Sequence, residues 1–193
     1  MIRRLFVALS LALLCTPAFA AGVEVGGKAP TFKGLPGVDG KEVSLDGLKD
    51  AKVVVVCFTC NVCPMSVAYE DRFVEFQKKY ADKGVKFVAI NANNGNPNET
   101  IANMKTRAEE KGFNFPYVYD ASGASALEYG AKVTPHLFVL DGQRNVAYIG
   151  SFDDNRNNPT KHYVADAVDA LLAGKKIETT STKAFGCGVN IKK

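Results

Sequence analysis

Two hydrophobic spacings alternate along the chain, and together they predict strands that alternate with helices. The run Val53–Phe58 has no polar face, which is typical of a strand covered on both sides in a parallel sheet, so we expect it near the sheet centre. Val85–Asn91 predicts a second strand. Shorter apolar runs predict further strands at 115–119, 137–140 and 146–149. The last two flank a turn at 141–144 and therefore predict an antiparallel hairpin.

Helical spacing begins directly after the first apolar strand. Tyr69, Phe73, Phe76 and Tyr80 are separated by steps of four, three and four, which predicts an amphipathic helix that ends at Gly84. A second helix is predicted from Asn96 as N-cap, Pro97 at the first position and Glu99 at the third, and it ends at Gly112. Further helices are predicted at 122–129 and from about 158 to 172.

The order of these elements predicts the fold class. A Gly- and Pro-rich lead is followed by a short β-hairpin, whose strands 31–35 and 42–45 are joined by the turn 38–41. After the hairpin come β, α, β, α, β, α, ββ and α. This order predicts an α/β fold, with a mixed central sheet, helices on both faces and an N-terminal β-hairpin.

The first twenty residues have the pattern of an export signal. Arg3 and Arg4 precede the apolar segment 5–14, and Ala18-Phe19-Ala20 resembles a cleavage site between small residues. We expect a signal peptide over 1–20, which would also remove Cys15, and one domain over 21–193 with a C-terminal tail at 175–193. The predicted location is therefore the periplasm or the outside of the cell. The apolar segment is too short to span a bilayer, which needs about 20 residues, so no stable membrane insertion is expected.

Net charge and cysteine content reduce the number of functions that the chain is expected to have. The formal charge of +4 falls to +2 without Arg3 and Arg4, and the remaining charges of both signs are interspersed, so nucleic acid is not an expected partner. The cysteines that remain after the signal are Cys57, Cys60, Cys63 and Cys187. Four are too few to staple a chain of this length, which makes chemistry the better explanation for at least two of them.

Cys60-Asn61-Val62-Cys63-Pro64 is placed where the first strand ends and the first long helix begins. A helix N-terminus offers unpaired N–H groups and the positive end of the helix dipole, and both stabilise a thiolate. Two cysteines three positions apart can lie on one face, so that the second can attack a mixed disulfide formed by the first. The motif predicts thiol-disulfide chemistry.

The chain resembles the thioredoxin superfamily, in its redoxin, AhpC/TSA-like branch, and is similar to exported thiol-disulfide oxidoreductases. The resemblance lies in Gly27-Lys28-Ala29-Pro30-Thr31-Phe32, Phe58-Thr59-Cys60-Asn61-Val62-Cys63-Pro64, Val133-Thr134-Pro135-His136 and the segment from Tyr148 to Asn155. It implies a thioredoxin-like fold, with Cys60 and Cys63 catalytic and with Thr134 and Pro135 binding an extended substrate strand. It also implies protein disulfides as substrates and a thiol electron donor as partner. No separate cofactor or metal is expected, since a dithiol carries two electrons.

The chain departs from thioredoxin at two positions. Thr59 precedes Cys60 where thioredoxin has Trp, and Val54 stands in place of a buried acid. Without that acid the helix end must stabilise the thiolate. We therefore expect Cys60 to be the exposed attacking thiolate, with a moderately lowered pKa, and Cys63 to resolve the mixed disulfide.

Two other functions remain open at this point. Val62-Cys63-Pro64 resembles the peroxidatic segment of peroxiredoxins, which predicts a thiol peroxidase, although Thr134-Pro135-His136 stands where an Arg is expected. Cys57, Cys60, Cys63 and His136 together would make a copper site like that of thioredoxin-fold chaperones, although the spacing differs and Cys57 is better explained as a core residue.

Four residues are candidates for an auxiliary role: Thr59, Pro64, His136 and Cys187. The glycines beside Cys187 predict a mobile loop that could bring a third thiol to Cys60. A static bond between Cys187 and Cys57, or an unpaired Cys187, are the alternatives. Neither the direction of electron transfer nor the oligomeric state follows from the sequence.

Overall fold

A mixed sheet lies at the centre of the computed structural model, which describes residues 22–192. The strands are β1 (Leu35–Pro36), β2 (Glu42–Val43), β3 (Val53–Phe58), β4 (Val85–Asn91), β5 (Tyr117–Tyr119), β6 (Val133–Thr134), β7 (His136–Leu140), β8 (Val146–Gly150) and β9 (Cys187–Gly188). The helices are α1 (Pro64–Tyr80), α2 (Ile101–Lys111), α3 (Ala124–Tyr129) and α4 (Tyr163–Leu172). The predicted signal peptide and Cys15 lie outside the described residues.

The central sheet has the strand order β5-β4-β3-β7-β8. β3 is parallel to β4 and antiparallel to β7, with Phe58 opposite Ile90 on one side and His136 on the other. Every residue of β3 is buried, as expected for a strand without a polar face. The prediction that Val53–Phe58 lies near the centre of the sheet is confirmed.

Alternate residues of β3 face two hydrophobic cores. Val53, Val55 and Cys57 pack on the side that is covered by α1, α2 and α4, whereas Val54, Val56 and Phe58 pack on the side that holds α3 and the N-terminal lead. The first core is rich in aromatic rings, and the centre of the Phe73 ring lies 5.2 Å from those of both Phe87, which is tilted against it, and Phe152, which meets it edge to face. The predicted arrangement of helices on both faces of a mixed sheet is confirmed.

Most helices and strands end close to the residues predicted from the local sequence pattern. α1 is followed by a short 3₁₀ turn, Ala81–Lys83, and Gly84 then adopts the left-handed conformation (φ 81°) that stops the helix, as predicted. The N-terminal hairpin is present but shorter than predicted, because β1 and β2 pair over only two residues each. None of the helices within residues 22–192 combines the length and apolar character needed to cross a membrane.

Two helix starts were predicted wrongly, each about four residues too early. α2 begins at Ile101 with Thr100 as N-cap, whose hydroxyl accepts the Asn103 N–H at 3.2 Å. The preceding residues form a turn in which the Asn96 side chain accepts the Asn98 N–H at 2.9 Å. α4 begins at Tyr163, because the chain before it is folded around the Asp154 carboxylate. In both places a side chain that caps a turn resembles, in sequence, one that caps a helix.

Candidate active site

The loop between β3 and α1 brings Cys60 and Cys63 together. Cys63 is the N-cap of α1, with extended backbone, and Pro64 occupies the first helical position. Cys60 lies three residues earlier, in the loop that follows β3. Both are buried, with exposed fractions of 3% for Cys60 and 1% for Cys63. The expectation of an exposed Cys60 is therefore wrong, because the C-terminal segment covers the pair.

The Thr134-Pro135 segment faces the two sulfurs. The peptide bond between these residues is cis. The Thr134 hydroxyl lies 3.2 Å from the Cys60 Sγ, and the Thr134 carbonyl oxygen accepts a hydrogen bond from the Cys63 Sγ at 3.1 Å. The residues predicted from sequence as catalytic and substrate-binding thus lie together, and their roles remain predictions.

Cys187 joins this group from the C-terminal tail. β9 pairs antiparallel with β6, so that Cys187 lies opposite Thr134. The Cys187 Sγ is 2.6 Å from the Cys63 Sγ, and the Cys187 N–H donates to the same sulfur at 3.4 Å. Cys57 is a separate free thiol in the core, so the alternative of a Cys57–Cys187 bond is wrong for this structure. In this structure Cys187 is unpaired, and its sulfur lies next to that of Cys63 rather than that of Cys60.

The electrostatics of the pair favour the thiolate at Cys63. The pKa of Cys63 is lowered to about 4, mainly by its interaction with the Cys60 thiol and then by that with the Cys187 side chain, while the Ser66 and Cys187 N–H groups contribute less. Burial of the sulfur opposes ionisation, but its effect is smaller than that of the interaction with Cys60. The Thr134 carbonyl also favours the protonated form, since it accepts from the thiol.

Cys60 has the opposite environment. Its hydrogen bond to Cys63, its burial and the negative charge of Glu99 all raise the pKa of Cys60, and the Thr134 hydroxyl only partly offsets them. The sequence predicted a lowered pKa for Cys60, and this prediction is wrong. The main reason is the interaction between the two thiols, which favours ionisation of Cys63 over that of Cys60.

Glu99 is a site residue that the sequence did not reveal. Its carboxylate is buried, with 1% exposed, and accepts the N–H groups of Asn61 at 3.1 Å and Val62 at 3.0 Å. Asn91 donates to the same carboxylate at 2.8 Å. The sequence indicated Glu99 as part of a helix cap, but it holds the loop between the two cysteines instead. The sequence did imply that the buried N–H groups of this loop need hydrogen-bond acceptors. Nothing in the neighbouring sequence indicated that Glu99 would be the acceptor.

We expect Glu99→Gln to destabilise the protein by about 1–3 kcal/mol, because one loop N–H then faces an amide NH₂ instead of an oxygen. The measurement is the free energy of unfolding in urea. The matched control is Glu109→Gln, since Glu109 is an exposed residue of α2 whose change should be worth less than about 0.5 kcal/mol. Equal stabilities of the two variants would contradict this role of Glu99.

The remaining auxiliary candidates lie around the pair without touching the sulfurs. Thr59 is buried and donates its N–H to the Ile90 carbonyl at 2.9 Å, so it fastens the loop to β4. His136 is buried in β7 with its ring 4.7 Å from that of Phe138, and burial together with nearby Lys132 lowers the pKa of His136 to about 4. Its predicted contact with substrate stays a prediction.

The copper site predicted as an alternative has no ligand set in the described part of the chain. Among residues 22–192, no three His, Cys, Asp or Glu side chains are grouped in a way that could hold a metal ion. Cys57 is fully buried, and burial raises the pKa of its thiol, which suits a core residue.

In the described residues 22–192 the Cys63 sulfur is hydrogen-bonded to Thr134 and Cys187 and to no Arg side chain. The sulfurs open onto a small cavity of about 190 Å³, which Asn93 and Asn96 also line.

Similarity to known proteins identifies the family of this chain. Residues 24–170 match the family model described as Redoxin. The fold is similar to that of a hypothetical protein from Sinorhizobium meliloti 1021, with a TM-score of 0.82 and 34% identity over 89% of this chain and 96% of that one. An uncharacterized conserved protein from Geobacillus kaustophilus also has a TM-score of 0.82, with 35% identity over 88% of this chain and 93% of that one.

A thiol:disulfide interchange protein of the thioredoxin family from Chlorobium tepidum TLS is more distant. Its TM-score is 0.59, with 26% identity over 79% of this chain and 99% of that one. No protein with a curated description is similar enough to this chain to count as a match. The predicted thioredoxin-like fold and the predicted resemblance to redoxins are confirmed.

Proposed function

Because the chain belongs to the Redoxin family, we propose that it is a thiol-disulfide oxidoreductase that reduces or exchanges disulfides in proteins. The observation that carries the proposal is the pair of thiols at the head of α1, both of which contact Thr134 in the Thr134-Pro135 segment. The likeness to a thiol:disulfide interchange protein supports the same function. The pattern of residues 1–20 supports export to the periplasm or outside the cell, and the N-terminus of the recovered protein, with Ala21 expected, checks this part.

Cys63 is the attacking thiolate in this mechanism. It attacks one sulfur of a substrate disulfide and forms a mixed disulfide, while the other substrate sulfur leaves as a thiolate. The Cys60 thiol, three residues earlier in the same loop, then loses its proton and attacks the Cys63 sulfur, which breaks the mixed disulfide and releases the second substrate sulfur as a thiol. The products are a reduced substrate and a Cys60–Cys63 disulfide. This order of attack reverses the one expected from the sequence.

The substrate strand binds along β6. Backbone groups of Val133 and Thr134 form an edge on which an extended peptide can pair, which places a substrate sulfur next to Cys63. β9 occupies this edge in the structure, so a protein substrate has to displace β9 before Cys63 can attack.

The test is reduction of insulin disulfides by the purified protein in the presence of a dithiol. We expect activity in the unchanged protein and a loss of at least about a hundredfold in Cys63→Ser, which lacks the attacking thiol, and in Cys60→Ser combined with Cys187→Ser, which lacks both thiols beside it. Cys57→Ala is the matched control and should retain activity, since Cys57 is a core residue. Consumption of hydrogen peroxide without any insulin reduction would contradict the proposal in favour of a thiol peroxidase.

A further inference from the structure

The burial of the three site thiols is unequal. Cys60 and Cys63 are 3% and 1% exposed, whereas Cys187 is exposed to solvent. An external thiol that reduces the oxidised Cys60–Cys63 pair therefore meets two sulfurs that are almost completely covered while β9 is in place. The exposed sulfur beside them is that of Cys187, at 2.6 Å from Cys63.

The tail that carries Cys187 is fixed on both sides of it. The Ile149 N–H donates to the Thr180 carbonyl at 3.1 Å before Cys187, and the Val189 N–H donates to the Lys132 carbonyl at 3.0 Å after it. The Asn190 N–H donates to the Asn93 side chain at 2.6 Å. The prediction of a mobile Cys187 loop therefore does not agree with this pairing.

Gly186 allows the tail to lie close to β6. A Cβ at this position would collide with the Thr134 carbonyl, so only glycine lets the tail lie this near to β6. The pairing then sets Cys187 opposite Thr134, where the sulfur of a bound substrate strand would lie. The tail thus occupies the edge where a substrate strand would bind, and Cys187 lies where a substrate sulfur would lie.

We propose that Cys187 is a third catalytic thiol, which takes the disulfide from the oxidised Cys60–Cys63 pair and presents it at the surface to an external dithiol. This inference rests on the proposed function, because that function produces the Cys60–Cys63 disulfide. It adds the route by which the enzyme is reduced again.

The steps balance as two successive exchanges. The Cys187 thiolate attacks the Cys63 sulfur, the Cys60–Cys63 bond breaks, Cys60 leaves as a thiolate and takes a proton, and a Cys63–Cys187 disulfide forms. One thiolate of the dithiol then attacks the Cys187 sulfur and releases the Cys63 thiolate. The second thiol of the donor closes on the first, which frees Cys187 and leaves the donor as a disulfide. Two electrons pass from the donor to the enzyme.

The pKa of Cys187 depends on whether Cys63 is charged. In the reduced protein the hydrogen bond and negative charge of Cys63 raise the pKa of Cys187, together with partial burial. When Cys63 is bound in a disulfide it carries no charge, so this contribution disappears. Cys187 then ionises more readily in the state in which it has to attack.

The intermediate can be isolated because of where trypsin cuts. Cys57, Cys60 and Cys63 lie in the tryptic peptide 53–72, and Cys187 lies in the peptide 184–192. We expect Cys60→Ser, oxidised with diamide and alkylated, to yield these two peptides joined by a disulfide in most molecules. Cys57→Ala in the same background should keep the link and Cys63→Ser should lose it. Absence of the linked peptides from oxidised Cys60→Ser would overturn the proposal.

The rate of reduction tests the same proposal independently. The unchanged protein and Cys187→Ser are first oxidised to the Cys60–Cys63 disulfide and then mixed with dithiothreitol. We expect Cys187→Ser to be reduced at least about tenfold more slowly, because its disulfide stays buried. A rate equal to or above that of the unchanged protein would overturn the proposal and leave the tail as a simple cover. Failure of the proposed function appears separately, as a lack of insulin reduction in the unchanged protein.

Discussion

A variant that lacks Cys60 and Cys187 is expected to accumulate a mixed disulfide with a protein substrate through Cys63. With Cys60→Ser and Cys187→Ser combined, neither neighbouring thiol can resolve the bond that Cys63 forms. At neutral pH the lowered pKa of about 4 leaves Cys63 almost fully ionised, and the thiolate is the attacking species. The measurement is the amount of covalent complex between this variant and an insulin chain, separated without reductant.

The matched variant combines Cys63→Ser with Cys187→Ser and leaves Cys60. This change removes the thiolate that contributes most to raising the pKa of Cys60, but burial and Glu99 continue to raise it. A thiol with a pKa of 9 or more is ionised to about 1% at pH 7, so we expect complex formation at least about a hundredfold slower than through Cys63. Faster trapping through Cys60 would reverse the assignment and restore the order predicted from the sequence.

The features that could be predicted from sequence are those set by neighbouring residues. The apolar run Val53–Phe58 fixes a fully buried strand by composition alone, and Pro64 marks the first turn of the helix that follows it. The Thr134-Pro135 segment could be placed beside the cysteines only through the family resemblance, and the structure has it within 3.2 Å of Cys60.

The features that could not be predicted depend on residues far apart in the chain. Cys187 contacts a cysteine 124 positions away, and Glu99 holds a loop whose nearer residue is 37 positions away. Neither contact leaves a periodic or local signal. The lowered pKa was expected at Cys60 rather than at Cys63 for a related reason, because the shift at Cys63 depends on contacts with Cys60 and Cys187 that only the folded chain brings together.

The short pairing of β6 with β9 links substrate binding to the state of the tail. It extends over two residues, Val133 opposite Gly188 and Thr134 opposite Cys187, whereas β3 pairs with β4 over six. A ladder this short is weak by itself, so a longer substrate strand can replace it at the same edge. The side-chain contacts of Asn93 and Asn94 with the tail then determine how readily the substrate gains access.

The free energy of unfolding of the reduced protein is expected to rise with pH between about 6.5 and 8.5. Folding lowers the pKa of Cys63 from an ordinary value of 9.0 to about 4, so in this range the folded protein has lost a proton that the unfolded chain still binds. The stabilisation is complete above the unfolded pKa and is lost as pH falls through the folded one. Its slope is at most about 1.4 kcal/mol per pH unit.

The pH window separates Cys63 from the other shifted groups. The pKa of His136 is also lowered to about 4 from 6.5, so this buried ring adds a similar slope only below pH 6.5. Cys57, Cys60 and Cys187 act in the other direction, because their pKa values are raised and their effect grows as the unfolded thiols ionise toward pH 9, so the slope decreases at the upper end of the window. Urea unfolding in a phosphine reductant, which adds no thiol, measures the slope. Cys63→Ala should be flat across the window, and an unchanged protein that is equally flat would show that Cys63 is protonated at neutral pH.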